Sequence, residues 1–195
     1  MNPTWTNQAM TNDTNVLILG LGNILLQDES VGITALQTLR DAYVWPNNVM
    51  LMDGGVMGLE LLPYLENAVD VLIIDAVRSR NLPGALIRLT GEEIPVVIAL
   101  KFSVHQVGFQ ETLFMAQLRG TMPRRLVLWG IEPESIGLGT MLTPAISAQV
   151  PALITAVMDE LASWGIVPAP HKPIDTGQVA VSRMETLYQD NQPIT

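Results

Sequence analysis

Short apolar runs alternate with segments of helical periodicity along most of this chain. The runs typical of buried strands are Val16–Leu19, Val49–Met52, Val71–Ile74 and Leu126–Trp129. Between them, apolar residues recur at helical spacing in Val31–Leu39, Leu59–Leu65, Gln106–Leu118 and Ala145–Trp164. Uninterrupted apolar runs are expected where a strand is buried on both faces. The alternation therefore predicts an α/β fold with a parallel or mixed sheet covered by helices on both sides.

The same pattern divides the chain into three parts. Residues 1–15 are polar without periodicity and are predicted to form an N-terminal tail, residues 16–166 a single α/β domain, and residues 167–195 a Pro-rich polar extension. Gly165 and Pro168 supply the stop signals for the last helix. Within the domain, Ala85–Leu89 is predicted to begin a hairpin that pairs with Val96–Leu100.

Composition and charge narrow the function classes. Of the 195 residues, 48% are hydrophobic and 15% charged, which is typical of a compact globular protein. The net charge of −9 argues against a nucleic-acid partner and against binding to an anionic membrane. The chain contains no cysteine, which excludes disulfides, thiolate metal sites and a cysteine nucleophile. Neither a membrane span nor a signal peptide is evident from hydropathy, so we expect a cytoplasmic protein.

Three side chains that suit a metal ion follow strand-like runs. Glu29 comes after the first run, Asp75 directly after the third, and His105 after the run that ends at Leu100. The carboxyl ends of parallel strands share one edge of a sheet, where ligands bind. Two carboxylates and an imidazole are donors for a zinc-like or nickel-like ion. Asp53 follows the second run and is expected at the same edge.

Each of these residues also has a purely structural interpretation. Asp28 and Glu29 could occupy the first turn of a helix, where negative charge meets the positive end of the helix dipole. Asp53 could be an ordinary turn residue before two glycines, and a lone histidine such as His105 is more often a capping or core residue. Asp75 is the stronger candidate, because a charge at the end of a buried strand must be paired or coordinated.

A nucleotide site is a weaker alternative. Gly20-Leu21-Gly22 resembles the start of a dinucleotide fingerprint, but Leu25 stands where that fingerprint needs a small residue. An acidic pair then follows, which would repel a pyrophosphate, and the chain has no P-loop sequence. There is also no Gly-x-Ser-x-Gly elbow that would indicate a serine nucleophile.

Six motifs together resemble those of the maturation endopeptidases of [NiFe] hydrogenases. They occur in the order Gly20–Gly32, Asp53–Gly55, Ile74–Ala76, Ser103–Gln106, Gly130–Pro133 and Leu142–Pro144. The resemblance covers about Val16 to Ile166, nearly the whole chain. It implies a three-layer α/β/α sandwich with a twisted, mostly parallel (mixed) central sheet. It also implies that Glu29, Asp75 and His105 match the metal-contacting positions, and that Asp53 matches a further acidic position.

The function implied by the resemblance is removal of a C-terminal extension from the large-subunit precursor of a [NiFe] hydrogenase. The metal would be nickel carried by that substrate, with zinc or cadmium able to occupy the site in vitro. Asp53 is the candidate for orienting water or transferring a proton, and Asp28→Asn is expected to retain most activity. The alternatives are a non-catalytic, nickel-checking chaperone of the same precursor and a generic metallo-aminopeptidase.

Overall fold

A computed structural model describes residues 15–94 and 104–171, except the side chains of residues 104–107. The strands are β1 (Val16–Leu21), β2 (Tyr43–Val44), β3 (Val49–Gly55), β4 (Asp70–Ala76), β5 (Leu86–Thr90), β6 (Arg125–Ile131) and β7 (Ala169–Pro170). The helices are α1 (Val31–Ala42), α2 (Leu62–Asn67), α3 (Val104–Arg119) and α4 (Pro144–Ser163). Short 3-10 turns at Gln27–Ser30 and Leu59–Leu61 precede α1 and α2.

Five strands form the central sheet, in the order β3-β1-β4-β6-β5. The first four are parallel, and β5 pairs antiparallel with β6. In the middle of the sheet β1 and β4 are buried along their whole length, as their apolar sequences predict. The prediction of a mixed, mostly parallel sheet in an α/β fold is confirmed.

Alternation along the strands divides the core between the two faces of the sheet. One face, formed by residues such as Leu19, Val71 and Ile73, packs against α2, α3 and the turn before α2. We call it the α3 face. The opposite face, with residues such as Ile18 and Ile74, packs against α1 and α4 and is called the α1 face. The two helical layers enclose the sheet, as a three-layer sandwich requires.

Some boundaries and pairings differ from the sequence prediction. β4 continues through Asp75 to Ala76, so the carboxylate lies within the strand and not after it. β5 pairs with β6, while its predicted hairpin partner Val96–Leu100 lies outside the described residues. The chain after α4 forms the two-residue strand β7, which pairs with β2. Residues 1–14 and 172–195 also lie outside the description.

The last helix, α4, is long and apolar. In the part of the chain that the structure describes, it is the one helix that could cross a membrane by length and composition, whereas the sequence analysis expected none. Its buried residues Ile146, Leu153, Val157 and Leu161 pack on the α1 face of the sheet. Core packing therefore accounts for its apolar stripe. The helix ends at Ser163, and Gly165, two residues later, has a φ of +81° that fits a glycine stop as predicted.

The amino end of β4 is fixed by an ion cluster at the end of the sheet opposite the predicted site. The buried Asp70 carboxylate accepts hydrogen bonds from the guanidinium groups of Arg124 and Arg125. The hydrogen bonds from Arg125 are the main cause that lowers the pKa of Asp70 below its usual value. Arg125 also lies over the ring of Trp164, with 4.7 Å between Cζ and the ring centroid.

We expect Asp70→Asn to destabilise the protein more at neutral pH than in acid. Because the pKa of Asp70 is lower in the folded state, its contribution is present above pH ~4 and is lost as the pH falls through the folded-state value. At pH 7 the free energy of unfolding should drop by about 1–3 kcal/mol, the range for hydrogen bonds to charged groups. Urea unfolding at pH 7 and pH 3 measures this, with the exposed Asp41→Asn as control. A loss that is equal at both pH values would contradict the ion-pair explanation.

Candidate functional site

The predicted acidic residues gather at the carboxyl edge of the parallel strands. Gly20 of β1 lies between Asp53 of β3 and Ile74 of β4 in the sheet register. Asp75 is the next residue along β4, and it pairs with Gly130 of β6. The structure therefore brings the ends of four strands together where the sequence analysis placed a site.

Glu29 reaches this edge on the 3-10 turn between β1 and α1. The turn contacts β4, and Glu29 is buried. Two glycines permit the close approach: a Cβ on Gly22 would overlap the carbonyl oxygen of Glu29, and a Cβ on Gly32 would overlap those of Leu21 and Ile74. The glycines of the first motif thus hold the segment that carries Glu29 against the strand that carries Asp75.

Asp75 is completely buried and lies on the α3 face of the sheet. It occupies the alternate position between Ile73 and Val77, which both belong to the core of that face. His105 is the second residue of α3, four residues before Phe109, and Phe109 is buried in the same core. The helix that carries His105 therefore packs on the face to which Asp75 belongs.

The three-ligand metal site stays a prediction. Among the described residues, no group of three potential ligands is close enough to hold a metal ion. The side chain of His105, the third predicted ligand, lies outside the description. What is established is the burial of Glu29 and Asp75 and the contact between the two segments that carry them.

Asp53 occupies a different position from the other two carboxylates. Along β3, Met50 and Met52 belong to the α3 face, so alternation places Asp53 on the α1 face. Burial raises the pKa of Asp53 above its usual value, while a hydrogen bond from the Gly55 backbone and the charge of Arg40 oppose the increase. Asp53 and Asp75 thus leave the sheet on opposite faces.

Asp28 has a role that the sequence analysis did not assign. Its fully buried carboxylate accepts hydrogen bonds from the backbone N–H groups of Glu134 (3.0 Å), Ser135 (2.8 Å) and Thr143 (2.7 Å). A fourth comes from the Thr143 hydroxyl at 3.0 Å, and that side chain in turn caps α4 by accepting from Ile146 N–H. Asp28 is therefore the anchor of the loop between β6 and α4, not a residue that only meets a helix dipole.

Glu132, just after β6, anchors a second loop in the same way. One carboxylate oxygen, Oε2, accepts from the backbone N–H and the hydroxyl of Ser79, both at 2.7 Å, and from Asn81 N–H at 3.2 Å. This fixes the loop that follows β4, immediately after Asp75. Glu132 follows a buried apolar run in the sequence, as Asp75 does, so the same signal could have identified it. For Asp28 no local signal distinguishes the anchor from the adjacent candidate ligand.

The fold and the edge define an α/β protein with acidic residues at the carboxyl ends of its parallel strands. Comparison with known proteins gives the family. The family model for hydrogenase maturation proteases (HycI) matches residues 33–160. A hydrogenase 2 maturation protease of Escherichia coli is 36% identical over 160 residues, which cover 82% of this chain and 98% of that protein. The hydrogenase expression/formation protein HupD of Rhodobacter capsulatus is 36% identical over 180 residues, covering 91% and 86%.

A solved structure agrees with the sequence comparisons. The hydrogenase maturating endopeptidase HybD from E. coli superposes with a TM-score of 0.78 at 35% identity, covering 80% of this chain and 98% of its own. The HybD maturation protease from Thermococcus kodakarensis has a TM-score of 0.62 at 26% identity, covering 76% and 99%. This chain belongs to the hydrogenase maturation protease family, as its motifs indicated.

We expect Asp28→Asn to destabilise the protein, whatever activity the folded variant retains. Both carboxylate oxygens accept from backbone N–H groups, so an amide would direct its NH₂ at a donor in either orientation. The free energy of unfolding should fall by about 2–4 kcal/mol, since several hydrogen bonds to a buried charge are disturbed. Chemical denaturation measures this, with Asp159→Asn on the exposed side of α4 as control. Wild-type stability in Asp28→Asn would refute the anchoring role.

Proposed function

We propose that this protein removes the C-terminal extension of a [NiFe] hydrogenase large-subunit precursor after nickel has been inserted. The observation that carries the proposal is the pair of buried carboxylates, Glu29 and Asp75, on contacting segments at the carboxyl edge of the sheet. In a member of the hydrogenase maturation protease family, this edge is the natural place for the precursor to bind.

The proposed role of nickel is recognition. Glu29, Asp75 and His105 would contact the ion that the precursor already carries. Two carboxylates and one imidazole fit a divalent transition ion, and zinc or cadmium could occupy the same donors in vitro. A site with only one nitrogen donor binds such an ion weakly and need not hold it permanently. It is therefore suited to a metal that arrives with the substrate. The enzyme would then distinguish loaded from unloaded precursor before it cleaves.

Peptide hydrolysis needs an activated water, a polarised carbonyl and a proton for the leaving amine. A metal near the scissile bond can supply Lewis-acid polarisation. The chain has no cysteine, and no serine lies in an elbow sequence, which supports water as the nucleophile. Asp53 is the proposed water-orienting or proton-transfer group. Its raised pKa supports that role, whereas its position on the α1 face weighs against direct contact with a ligand bound at Asp75.

The proposed setting is the cytoplasm, with the precursor as partner and without nucleic-acid binding or membrane insertion. The net charge of −9 supports the exclusion of nucleic acid, because that partner is itself a polyanion. The alternative function is a nickel-checking chaperone, which would bind the same precursor at the same edge without cleaving it.

Purified protein should process nickel-loaded precursor and leave unloaded precursor intact. The measurement is mass spectrometry of the large subunit, in which processing appears as the loss of a C-terminal peptide. Stable complex formation without a mass change would favour the chaperone. Equal processing of both precursors would refute nickel recognition, and cleavage of short unrelated peptides would favour an aminopeptidase.

Substitution of the proposed ligands should abolish processing without unfolding the protein. Asp75→Asn and Glu29→Gln keep size but remove charge, and His105→Ala removes the imidazole. Each is expected to lower processing of loaded precursor by about 100-fold or more, because losing a contact to the precursor-bound ion worth about 3 kcal/mol weakens recognition by that factor. Thermal unfolding confirms that the variants are folded, and Asp159→Asn is the charge control. Wild-type activity in His105→Ala would remove the imidazole from the site.

A further inference from the structure

The loops beside Glu29 carry large apolar side chains that face solvent. Ile24 and Leu25 lie between β1 and the first 3-10 turn and are each 57% exposed. Leu138 and Met141 lie between β6 and α4 and are 88% and 77% exposed. We call these four residues the apolar lip. Isolated exposed apolar residues are common, but a group at one place marks an interaction surface.

Backbone and side-chain hydrogen bonds join the two loops into one unit. Gly139 N–H donates to Leu25 C=O at 3.0 Å, and Gln27 N–H donates to Gly139 C=O at 2.8 Å. The Ser135 hydroxyl donates to Gln27 Oε1 at 2.6 Å, and Asp28 fixes both ends of the second loop. The lip is therefore a preformed surface, and little conformational entropy is lost when a partner covers it.

The lip adjoins the turn that carries Glu29. Leu25 stands four residues before Glu29, and Glu29 N–H donates to Leu26 C=O at 3.0 Å. A polypeptide bound at Glu29 would therefore have the lip beside it. The flanking sequence is free of charge: Gly20–Gln27 and Ser135–Met158 contain no Asp, Glu, Lys or Arg, although the chain has a net charge of −9.

We propose that the apolar lip docks an uncharged apolar segment of the hydrogenase precursor next to the bond that is cleaved. This inference rests on the proposed function, and it adds the part of the substrate that the enzyme recognises apart from nickel. A second copy of this chain is a poorer occupant, because two molecules that each carry a net charge of −9 repel one another.

The test compares processing kinetics of nickel-loaded precursor by the wild type and by the double variant Leu138→Ser/Met141→Ser. Loss of two large apolar contacts should raise KM about tenfold or more with little change in kcat. The control is Leu118→Ser/Val167→Ser, which removes residues that are 66% and 75% exposed outside the lip. Two single variants separate apolar character from the residue itself: Met141→Ser should raise KM, whereas Met141→Leu should keep the wild-type KM. Thermal unfolding verifies that every variant is folded.

The outcomes separate this inference from the proposed function. Wild-type KM in the folded double variant would overturn the lip as a docking surface and leave the endopeptidase function intact. If the wild type binds precursor without cleaving it, the endopeptidase function fails, and the affinity of the variants still tests the lip. A wild-type dimer that the double variant converts to a monomer with unchanged KM would identify a second copy as the occupant and overturn the proposal. A wild type that neither binds nor cleaves precursor overturns both.

Discussion

The buried carboxylate of Asp28 joins parts of the chain that are more than one hundred residues apart. It accepts from Glu134 and Ser135 at sequence separations of 106 and 107 and from Thr143 at a separation of 115. A buried charge is tolerated only when donors replace its lost hydration, and here four donors do so. Through Thr143 the same group fixes the start of α4. The β1–α1 turn, the loop after β6 and the last helix are therefore positioned by one side chain.

The close packing of backbone around β1 is the second condition for the site. Gly22 and Gly32 allow the 3-10 turn to lie against Leu21 and Ile74, and any side chain at either position would overlap a carbonyl group. Glu29 lies in that turn, so the two glycines also determine where Glu29 lies. The candidate ligands are thus held by rigid segments, which suits a site that must present its donors in a fixed geometry.

The pleat of the sheet separates residues that the sequence places in equivalent positions. Asp53 and Asp75 both follow apolar runs within their strands, yet one belongs to the α1 face and the other to the α3 face. The helix that carries His105 packs on the α3 face, the face to which Asp75 belongs. Glu132 and Asp28 hold the loops after β4 and β6, and the apolar lip lies on the second of these loops and on the loop after β1. Recognition of a protein substrate would combine these polar and apolar parts.

The sequence by itself determined the alternation of strands and helices, the α/β fold class and the family, because these depend on local periodicity and on motifs that are contiguous in the chain. It also indicated which carboxylates lie at the sheet edge, since parallel strands share that edge. It did not distinguish Asp28 from Glu29, and it did not indicate that β5 pairs with β6. Only the tertiary structure decided these points, because the partners of Asp28 and β5 come from distant parts of the chain. Which face of the sheet each carboxylate occupies was likewise decided by strand register and helix packing, which no single segment contains.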